Sequence, residues 1–198
     1  QCAQLNCSGI VDAVVSDDSD VFLFGAVSVF RHVFSRTEFV EQYQLDKLPL
    51  NREQLVEFAQ LVGSDYTEGV TGIGPARAME VIKHFHALPS GLALFRKWAE
   101  CGGKTQELKL TKEQAKSLKT PEMRKLSRLT PSFKFARIWP DKEVEDAYNN
   151  PTIEKITTSF GWGRPALDKL RSFAVAKRGW SEERSERQIQ PLLNCSAL

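Results

Sequence analysis

The sequence predicts an α/β fold in which the end of a mostly parallel sheet is followed by a largely helical region. The stretch "IVDAVVS" is short and β-branched, as in a buried strand, and three aspartates follow it within "DDSD". Open α/β sheets place their sites at the carboxyl ends of strands, so acidic residues at this point fit that class. From Asn51 onward, apolar residues recur at helical spacing.

The first fifty residues predict one helix and the strands. "QCAQLNCSG" has the pattern of a short amphipathic helix closed by Gly9. After the aspartates, "VSVFRHVF" predicts a further strand and "FVEQYQL" a strand or turn. We therefore assign residues 1–50 to the sheet-containing part of the fold.

Two helices with defined ends are expected in the next segment, residues 51–101. In "NREQLVEFAQLVGSD", Asn51 can cap the start and Gly63 can end the helix, and one face carries Leu55, Phe58, Ala59 and Val62. In "ARAMEVIKHF", Pro75 suits the first turn, and one face carries Ala78, Met79, Ile82 and Phe85. A Gly-rich stretch, "YTEGVTGIGP", joins the two helices.

The remainder divides into a basic segment, residues 102–132, and a C-terminal segment, residues 133–198, expected to pack on the core. The basic segment is weakly periodic and predicts a helical or partly mobile excursion. In the C-terminal segment, "SEERSERQIQPLL" opens with the N-cap residue Ser181. The preceding "RPALDKLRSFAVAKRGW" predicts a helix whose packed face carries Leu167, Leu170, Phe173 and Ala174.

Composition limits the class of protein. A hydrophobic content of 41% and a charged content of 26% over 198 residues are those of a soluble globular protein, and no apolar run reaches the length of a membrane span, so no membrane partner is expected. The four cysteines match no zinc pattern and suit a reducing compartment.

Charge is distributed unevenly along the chain. Residues 1–70 carry four Lys or Arg against eleven Asp or Glu, a net −7, whereas residues 102–137 carry ten against three, a net +7. This asymmetry fits a protein that binds metal in one place and a polyanion in another. A solvated basic face without a partner explains the charge equally well.

The crowded aspartates are the first candidate site. Asp18 and Asp20 can converge only if the chain there is extended or turning, and two converging carboxylates would bind a hard cation such as Mg²⁺ through oxygen. Asp17 would point elsewhere, to a supporting or capping role. The alternative is an Asx turn or helix cap that uses one or two of these side chains.

The stretch "VTGIGPARAMEVI" is the second candidate site. Gly72 and Gly74 flank Ile73, which can turn inward and anchor a hairpin, while the glycines allow another surface to approach the backbone. Amides at the following helix N-terminus attract an anion, so the segment predicts a helix–hairpin–helix element that binds nucleic-acid phosphate without reading bases. A tight turn without a ligand is the alternative.

Three neighbouring residues extend these two sites. Arg77 and Lys83 could add phosphate contacts, although either could be plain surface. Asp65, in "GSDYTEG", lies between a helix end and the hairpin, so the element that would bind DNA also carries a carboxylate. A turn-forming role for Asp65 is the alternative.

Together these motifs resemble the structure-specific 5′ nucleases that include flap endonuclease and the xeroderma pigmentosum group G endonuclease. "VVSDDSDVFLFGA" resembles the second half of the internal nuclease motif, and "LVGSDYTEGVTGIGPARAMEVI" resembles the helix–two-turn–helix DNA-binding element. The tail "AYNNP…FGWGRPALDKLRSF…GW" is similar to the family's C-terminal stretch. "SDDSD" and "GSDYTEG" are closer to the group G enzyme than to flap endonuclease.

The resemblance implies metal-dependent phosphodiester hydrolysis near junctions of double- and single-stranded DNA, in nucleotide excision repair in the nucleus. Asp18, Asp20 and Asp65 match metal-binding carboxylates of the family, with Asp17 a further candidate, and two Mg²⁺ ions would serve a complete active site. The implied substrate is duplex DNA with a single-stranded arm or bubble. Other repair proteins would bind through regions absent from this sequence.

One departure from the family bears on activity. The family also uses a Glu-x-Glu pair just before the position of Gln1 and aspartates in an N-terminal region, and neither is in this sequence. We therefore expect the 198 residues to bind DNA but to cleave poorly without that half. A DNA-junction binding module without hydrolysis is the alternative function, and a flap- or junction-resolving relative is another.

Overall fold

The computed structural model of the protein describes residues 1–35, 39–154 and 165–195 and divides the chain into two compact units. The first unit is Gln1–Ile156 and the second is Thr157–Leu198. The segment 133–198, which we expected to be one C-terminal part, is thus shared between the two units. Within the described residues, no helix combines the length and the apolar character that crossing a bilayer requires.

A small mixed sheet lies at the start of the first unit. Its elements are α1 (Cys2–Cys7), β1 (Val14–Val15), α2 (Asp20–Leu23), β2 (Ser28–Arg31) and β3 (Glu41–Gln44). Helix α1 and both later strands confirm the predicted elements. The strand order is β1-β2-β3, and register pairs Val14 with Val29 and Val29 with Tyr43.

The expectation of a mostly parallel sheet is wrong for the described residues, because β1 and β2 are parallel but β2 and β3 are antiparallel. The connections explain the difference. Residues 16–27 join β1 to β2 and include α2, so they are long enough for a crossover, which needs about a dozen residues. Residues 32–40 are too short for a crossover, so β3 returns antiparallel to β2.

Two helices follow the sheet with the ends that the sequence predicts. Helix α3 (Arg52–Val62) is capped by Asn51, whose side chain accepts the Gln54 amide at 2.9 Å while the Gln54 side chain accepts the Asn51 amide at 3.0 Å. Helix α4 (Pro75–Phe85) begins with proline. Of the predicted faces, Ala59, Ala78, Ile82 and Phe85 are buried, and Leu55, Phe58, Val62 and Met79 pack against the core partly exposed.

The larger core forms where α3 and α4 meet three further helices, α5 (Gly91–Glu100), α6 (Lys112–Ser117) and α7 (Pro121–Ser127). Its centre is aromatic: the rings of Phe85 and Phe95 lie 5.3 Å apart, centroid to centroid. The basic segment 102–132 is helical in part and anchored to this core by Leu118, Met123 and Leu126.

Helix α8 (Lys142–Asn149) connects the sheet side of the unit to α3. Its buried residues Val144 and Tyr148 join Leu23, Val56 and Ala59 in one apolar cluster. Arg52 reinforces this junction, because its guanidinium donates to the carbonyl oxygens of Leu23 and Tyr148, both at 2.9 Å. Helix α8 is thereby fixed close to the end of β1 and the start of α2.

The second unit contains α9 (Leu167–Arg178) and α10 (Glu182–Cys195). Ser181 accepts the Arg184 amide at 3.2 Å, which confirms its predicted role as N-cap. The predicted packed face of α9 is wrong in part, since Ala174 is buried whereas Leu170 and Phe173 are 40% and 57% exposed. The quoted "FGWGR", residues 160–164, lies outside the described residues.

Candidate functional site

The aspartates after β1 form a turn that leads directly into α2. The Asp18 carboxylate accepts the Asp20 amide at 2.9 Å, and the Ser16 hydroxyl accepts the Asp18 amide at 3.1 Å. Asp20 is the first residue of α2, so its carboxylate lies at a helix N-terminus. The Asx turn that we kept as the alternative therefore exists at Asp18, and it uses only one of that carboxylate's oxygens.

Asp17 points away from this turn, toward the end of β2. Its Oδ1 accepts the His32 backbone amide at 2.7 Å and lies 3.5 Å from the His32 imidazole Nδ1. Its carbonyl oxygen accepts from the Arg31 guanidinium at 2.8 Å. These contacts give Asp17 a role in joining the β1 turn to β2, and they do not support the further metal-binding role that we considered for it.

Tyr148 of α8 links Asp20 to the loop that carries Asp65. Its hydroxyl lies 2.9 Å from Asp20 Oδ2 and 2.9 Å from Ser64 Oγ. The ring of Tyr66 packs edge-on against Tyr148 at 5.2 Å between centroids. Since the residues on both sides of Asp65 contact Tyr148, Asp65 lies on the same side of the unit as Asp20.

Electrostatics report the same proximity of the three carboxylates. Burial raises the pKa of Asp20 above its ordinary value, the charges of Asp18 and Asp65 raise this pKa further, and the hydrogen bond from Tyr148 opposes the rise. Burial also raises the pKa of the Tyr148 phenol, and the adjacent Asp20 adds to this rise, so the phenol is a hydrogen-bond donor at neutral pH. No Lys or Arg is among the charges acting on Asp20.

This donor set suits a hard cation, although not as a closed protein cage. Within the described residues, no group of three or more His, Cys, Asp or Glu lies close enough together to hold a metal ion. Mg²⁺ keeps several waters and needs only one or two carboxylates, so Asp20 with Asp18 or Asp65 fits this ion and does not fit a structural zinc site.

The loop between α3 and α4 presents the N-terminus of α4. Ile73 is buried as expected, at 6% exposure. Gly72 has φ +90°, and a Cβ there would lie 3.1 Å from the Ser132 carbonyl oxygen, so the loop needs glycine at this position. At Gly74, by contrast, a Cβ would meet no heavy atom within 4 Å. The backbone at Gly74 is therefore open to an approaching molecule.

The two basic residues predicted near this loop differ in position. Arg77 donates to the Gly72 carbonyl oxygen, which closes the loop onto α4. Lys83 lies in the last turn of α4, about 12 Å from Gly74 along the helix axis, so it cannot share a phosphate with the loop. Lys134 was missed: it is exposed, and its backbone pairs with Thr71 through two hydrogen bonds of 3.1 and 3.2 Å.

The basic segment supplies free positive charge beside this loop. None of the ten Lys or Arg in residues 102–137, all of which are described, forms an ion pair within 4.0 Å. Thr71 and Gly72 contact residues 132–134, so the end of the segment adjoins the α4 N-terminus. Unpaired surface cations next to exposed amides are an arrangement that attracts polyanions.

Sequence reasoning also missed Tyr148 and Ser64. The "AYNNP" stretch indicated a family likeness but no role for its tyrosine. A tyrosine four positions after Val144 on a helix predicts a buried ring, and buried phenols need a polar partner. That signal could have identified Tyr148 as hydrogen-bonded, without identifying Asp20 and Ser64 as its partners.

Comparisons with known proteins agree with these two sites. Residues 1–65 match the XPG I-region. The chain is 35% identical over 98% of its length to DNA repair protein rad13 of Schizosaccharomyces pombe, and 34% identical over 98% to DNA excision repair protein ERCC-5 of Mus musculus. It spans about a sixth of those relatives, 17% and 16% of their lengths.

A solved structure extends the likeness to the fold. The catalytic core of Rad2 in complex with DNA substrate superposes on 97% of this chain with a TM-score of 0.77 and 35% identity, and this chain covers 59% of that one. The sheet edge with Asp18 and Asp20 lies within the matched I-region. The chain therefore belongs to the XPG and Rad2 family of structure-specific DNA repair nucleases.

Proposed function

We propose that this chain carries part of the active site and the duplex-binding surface of a Mg²⁺-dependent DNA endonuclease that cuts near junctions of single- and double-stranded DNA. The names of the relatives, a DNA repair protein and a DNA excision repair protein, favour nucleotide excision repair and a nuclear location. The proposal extends to duplex DNA with a single-stranded arm or bubble as substrate, and to other repair proteins as partners.

One observation carries the catalytic part of the proposal. Asp18, Asp20 and Asp65 come from segments that are 45 positions apart (65 − 20), yet their charges act together and no basic side chain offsets them at Asp20. Such a cluster gains stability when a cation binds, because the cation removes the mutual repulsion. Asp18, Asp20 and Asp65 are therefore the residues that would hold Mg²⁺.

The chemistry divides between the ion and the protein. When bound, two Mg²⁺ ions would activate water and stabilise the leaving oxygen of a phosphodiester. The chain's own contribution is to present carboxylate oxygens in a fixed geometry at the end of β1, with Asp20 held by Tyr148. Two ions need more ligands than these three side chains supply, so the complete site would include further carboxylates.

The duplex-binding part rests on the α4 N-terminus. The amides of Gly74, Ala76 and Arg77 have no backbone acceptor among the described hydrogen bonds, since Ala78 makes the first bond of the helix, to the Gly74 carbonyl oxygen. Amides in this position bind phosphate without reading sequence. The helix–two-turn–helix assignment, with Gly72, Ile73, Gly74 and Arg77 at the contact, is the proposed mode of binding.

A second candidate function remains a DNA-junction binding module without hydrolysis. It is favoured by the finding that no three-ligand metal group exists within the described residues. Flap- or junction-resolving activity would use the same sites on a different DNA.

The experiment compares cleavage and binding on one substrate. A splayed-arm duplex labelled on the strand with the free arm is incubated with Mg²⁺ and either this chain or the longest protein that carries it. We expect cleavage near the junction in the longer protein, lost in Asp18→Ala and Asp20→Ala with unchanged DNA affinity. Asp46→Asn is the matched control, because Asp46 is an exposed aspartate after β3. Binding without Mg²⁺-dependent cleavage would establish the binding module instead.

A further inference from the structure

Tyr148 is a buried residue that reaches the candidate metal site from a distant part of the chain. Its side chain has 0% exposure, and 128 positions separate it from Asp20. Its hydroxyl is 2.9 Å from both Asp20 Oδ2 and Ser64 Oγ, so a single oxygen joins the two segments that carry the aspartates.

The direction of these hydrogen bonds follows from the number of protons. A phenol has one proton, and an ionised carboxylate can only accept. Tyr148 therefore donates to Asp20 Oδ2, and the Ser64 hydroxyl, which can rotate, donates to the phenol oxygen. The result is a directed chain from Ser64 through Tyr148 to one oxygen of Asp20.

The phenol is held rigidly by its surroundings. Its ring lies between those of Phe24 and Tyr66, at centroid distances of 5.1 and 5.2 Å. Its carbonyl oxygen accepts from the Arg52 guanidinium at 2.9 Å. With ring and backbone both fixed, the hydroxyl has one position, and the carboxylate that it binds has one orientation.

We infer that Tyr148 is a positioning residue for the metal site: its hydroxyl fixes the orientation of the Asp20 carboxylate and the separation of Asp20 from Asp65, and leaves Oδ1 of Asp20 to face the cation. The inference rests on the proposed metal-dependent function. Partners that orient ligating carboxylates typically change metal affinity by about 10- to 100-fold when removed. A merely structural tyrosine would change stability alone.

The test uses Tyr148→Phe, which deletes the hydroxyl and keeps the ring in the apolar cluster. Ser64→Ala removes only the far end of the chain of hydrogen bonds. Tyr43→Phe is the matched control, since the Tyr43 hydroxyl also binds a carboxylate, Glu41 Oε2 at 2.9 Å, on the sheet. Asp20→Asn marks complete loss of the site.

The first measurement is Mn²⁺ binding to this chain, followed by electron paramagnetic resonance, which does not depend on cleavage. We expect Tyr148→Phe to weaken Mn²⁺ binding about 10-fold, Ser64→Ala to weaken it less, and Tyr43→Phe to leave it unchanged. The second measurement is cleavage by the longest protein that carries this chain. There, Tyr148→Phe should raise the Mg²⁺ concentration for half-maximal rate, and excess Mg²⁺ should restore most of the rate.

The outcomes separate the inference from the function on which it rests. If wild-type protein binds Mn²⁺ through Asp20 and Tyr148→Phe binds it equally well while melting at a lower temperature, Tyr148 is only structural and the inference is overturned. If wild-type protein shows no Mn²⁺ binding that Asp20→Asn abolishes, the proposed metal site itself is wrong, and the inference fails with it.

Discussion

Gly74 is the position at which the proposed phosphate contact can be changed with least effect on the fold. Its φ is −101°, an angle that any residue adopts, and a Cβ there meets no heavy atom within 4 Å. Gly72 differs, because its φ of +90° and its contact with Ser132 make glycine a requirement of the fold. Gly74→Val therefore tests the approach of a ligand, whereas Gly72→Val would test folding.

The size of the effect follows from the amides that a valine at position 74 would screen. Three amides, those of Gly74, Ala76 and Arg77, are free to bind a phosphate. A hydrogen bond to a charged group contributes about 1.5–3 kcal/mol, so losing one should weaken DNA binding roughly 10- to 100-fold. The altered N-cap costs about 1 kcal/mol or less, which lowers the Tm by roughly 2–4 °C.

The assay is fluorescence anisotropy with two labelled duplexes of unrelated sequence, in buffer without Mg²⁺. We expect Gly74→Val to weaken binding to both duplexes by the same factor, because phosphate contacts carry no sequence information. Ala87→Val, at an exposed position just beyond the opposite end of α4, is the matched control and should bind as wild type does. Unchanged affinity in Gly74→Val would refute the contact, and a loss on only one duplex would refute phosphate as its target.

Three further predictions concern the carboxylates, the basic segment and a buried acid. Asp65→Asn should abolish Mg²⁺-dependent cleavage as fully as Asp20→Asn, and the double variant should be no worse, since residues that act as a unit are not additive; additive losses would contradict a shared site. Removing three exposed lysines should flatten the slope of log affinity against log salt by up to about 0.9 per lost phosphate contact, as measured in the variant Lys112→Ala/Lys116→Ala/Lys119→Ala. Burial raises the pKa of Glu57, against the opposing hydrogen bond from His86, so the folded state binds more protons and unfolding free energy falls as pH rises through that window. Urea unfolding between about pH 4 and 7 should show that fall in wild type and not in Glu57→Gln.

The sequence predicted those parts of the fold whose causes are local. Helices α3 and α4 begin and end where expected because Asn51, Gly63 and Pro75 act on their immediate neighbours. Strand β2 was predicted, but its antiparallel pairing with β3 depends on the connection between them. The exposed Phe173 on α9 shows the same limit, since helical spacing defines a face without determining what covers it.

The candidate site divides in the same way. Asp18 and Asp20 were found because crowded aspartates after a strand are visible in the sequence, and Asp65 was found through the family resemblance. Their link through Tyr148 spans 128 positions on one side and 84 on the other, and no local pattern encodes it. The displaced position of Lys83 also follows from helix geometry, which places it a full helix length from the loop.

The location of Tyr148 has a consequence for the order in which the protein is made. During synthesis, the segments with Asp20 and Ser64 leave the ribosome well before α8 exists. Contacts of such high sequence separation form late, because the loop between the partners must close first. The carboxylate cluster therefore cannot reach its final geometry until α8 has folded onto it, so a nascent or prematurely terminated chain would carry the aspartates without an ordered site. Completion of the metal-binding geometry is thus tied to synthesis of nearly the whole first unit.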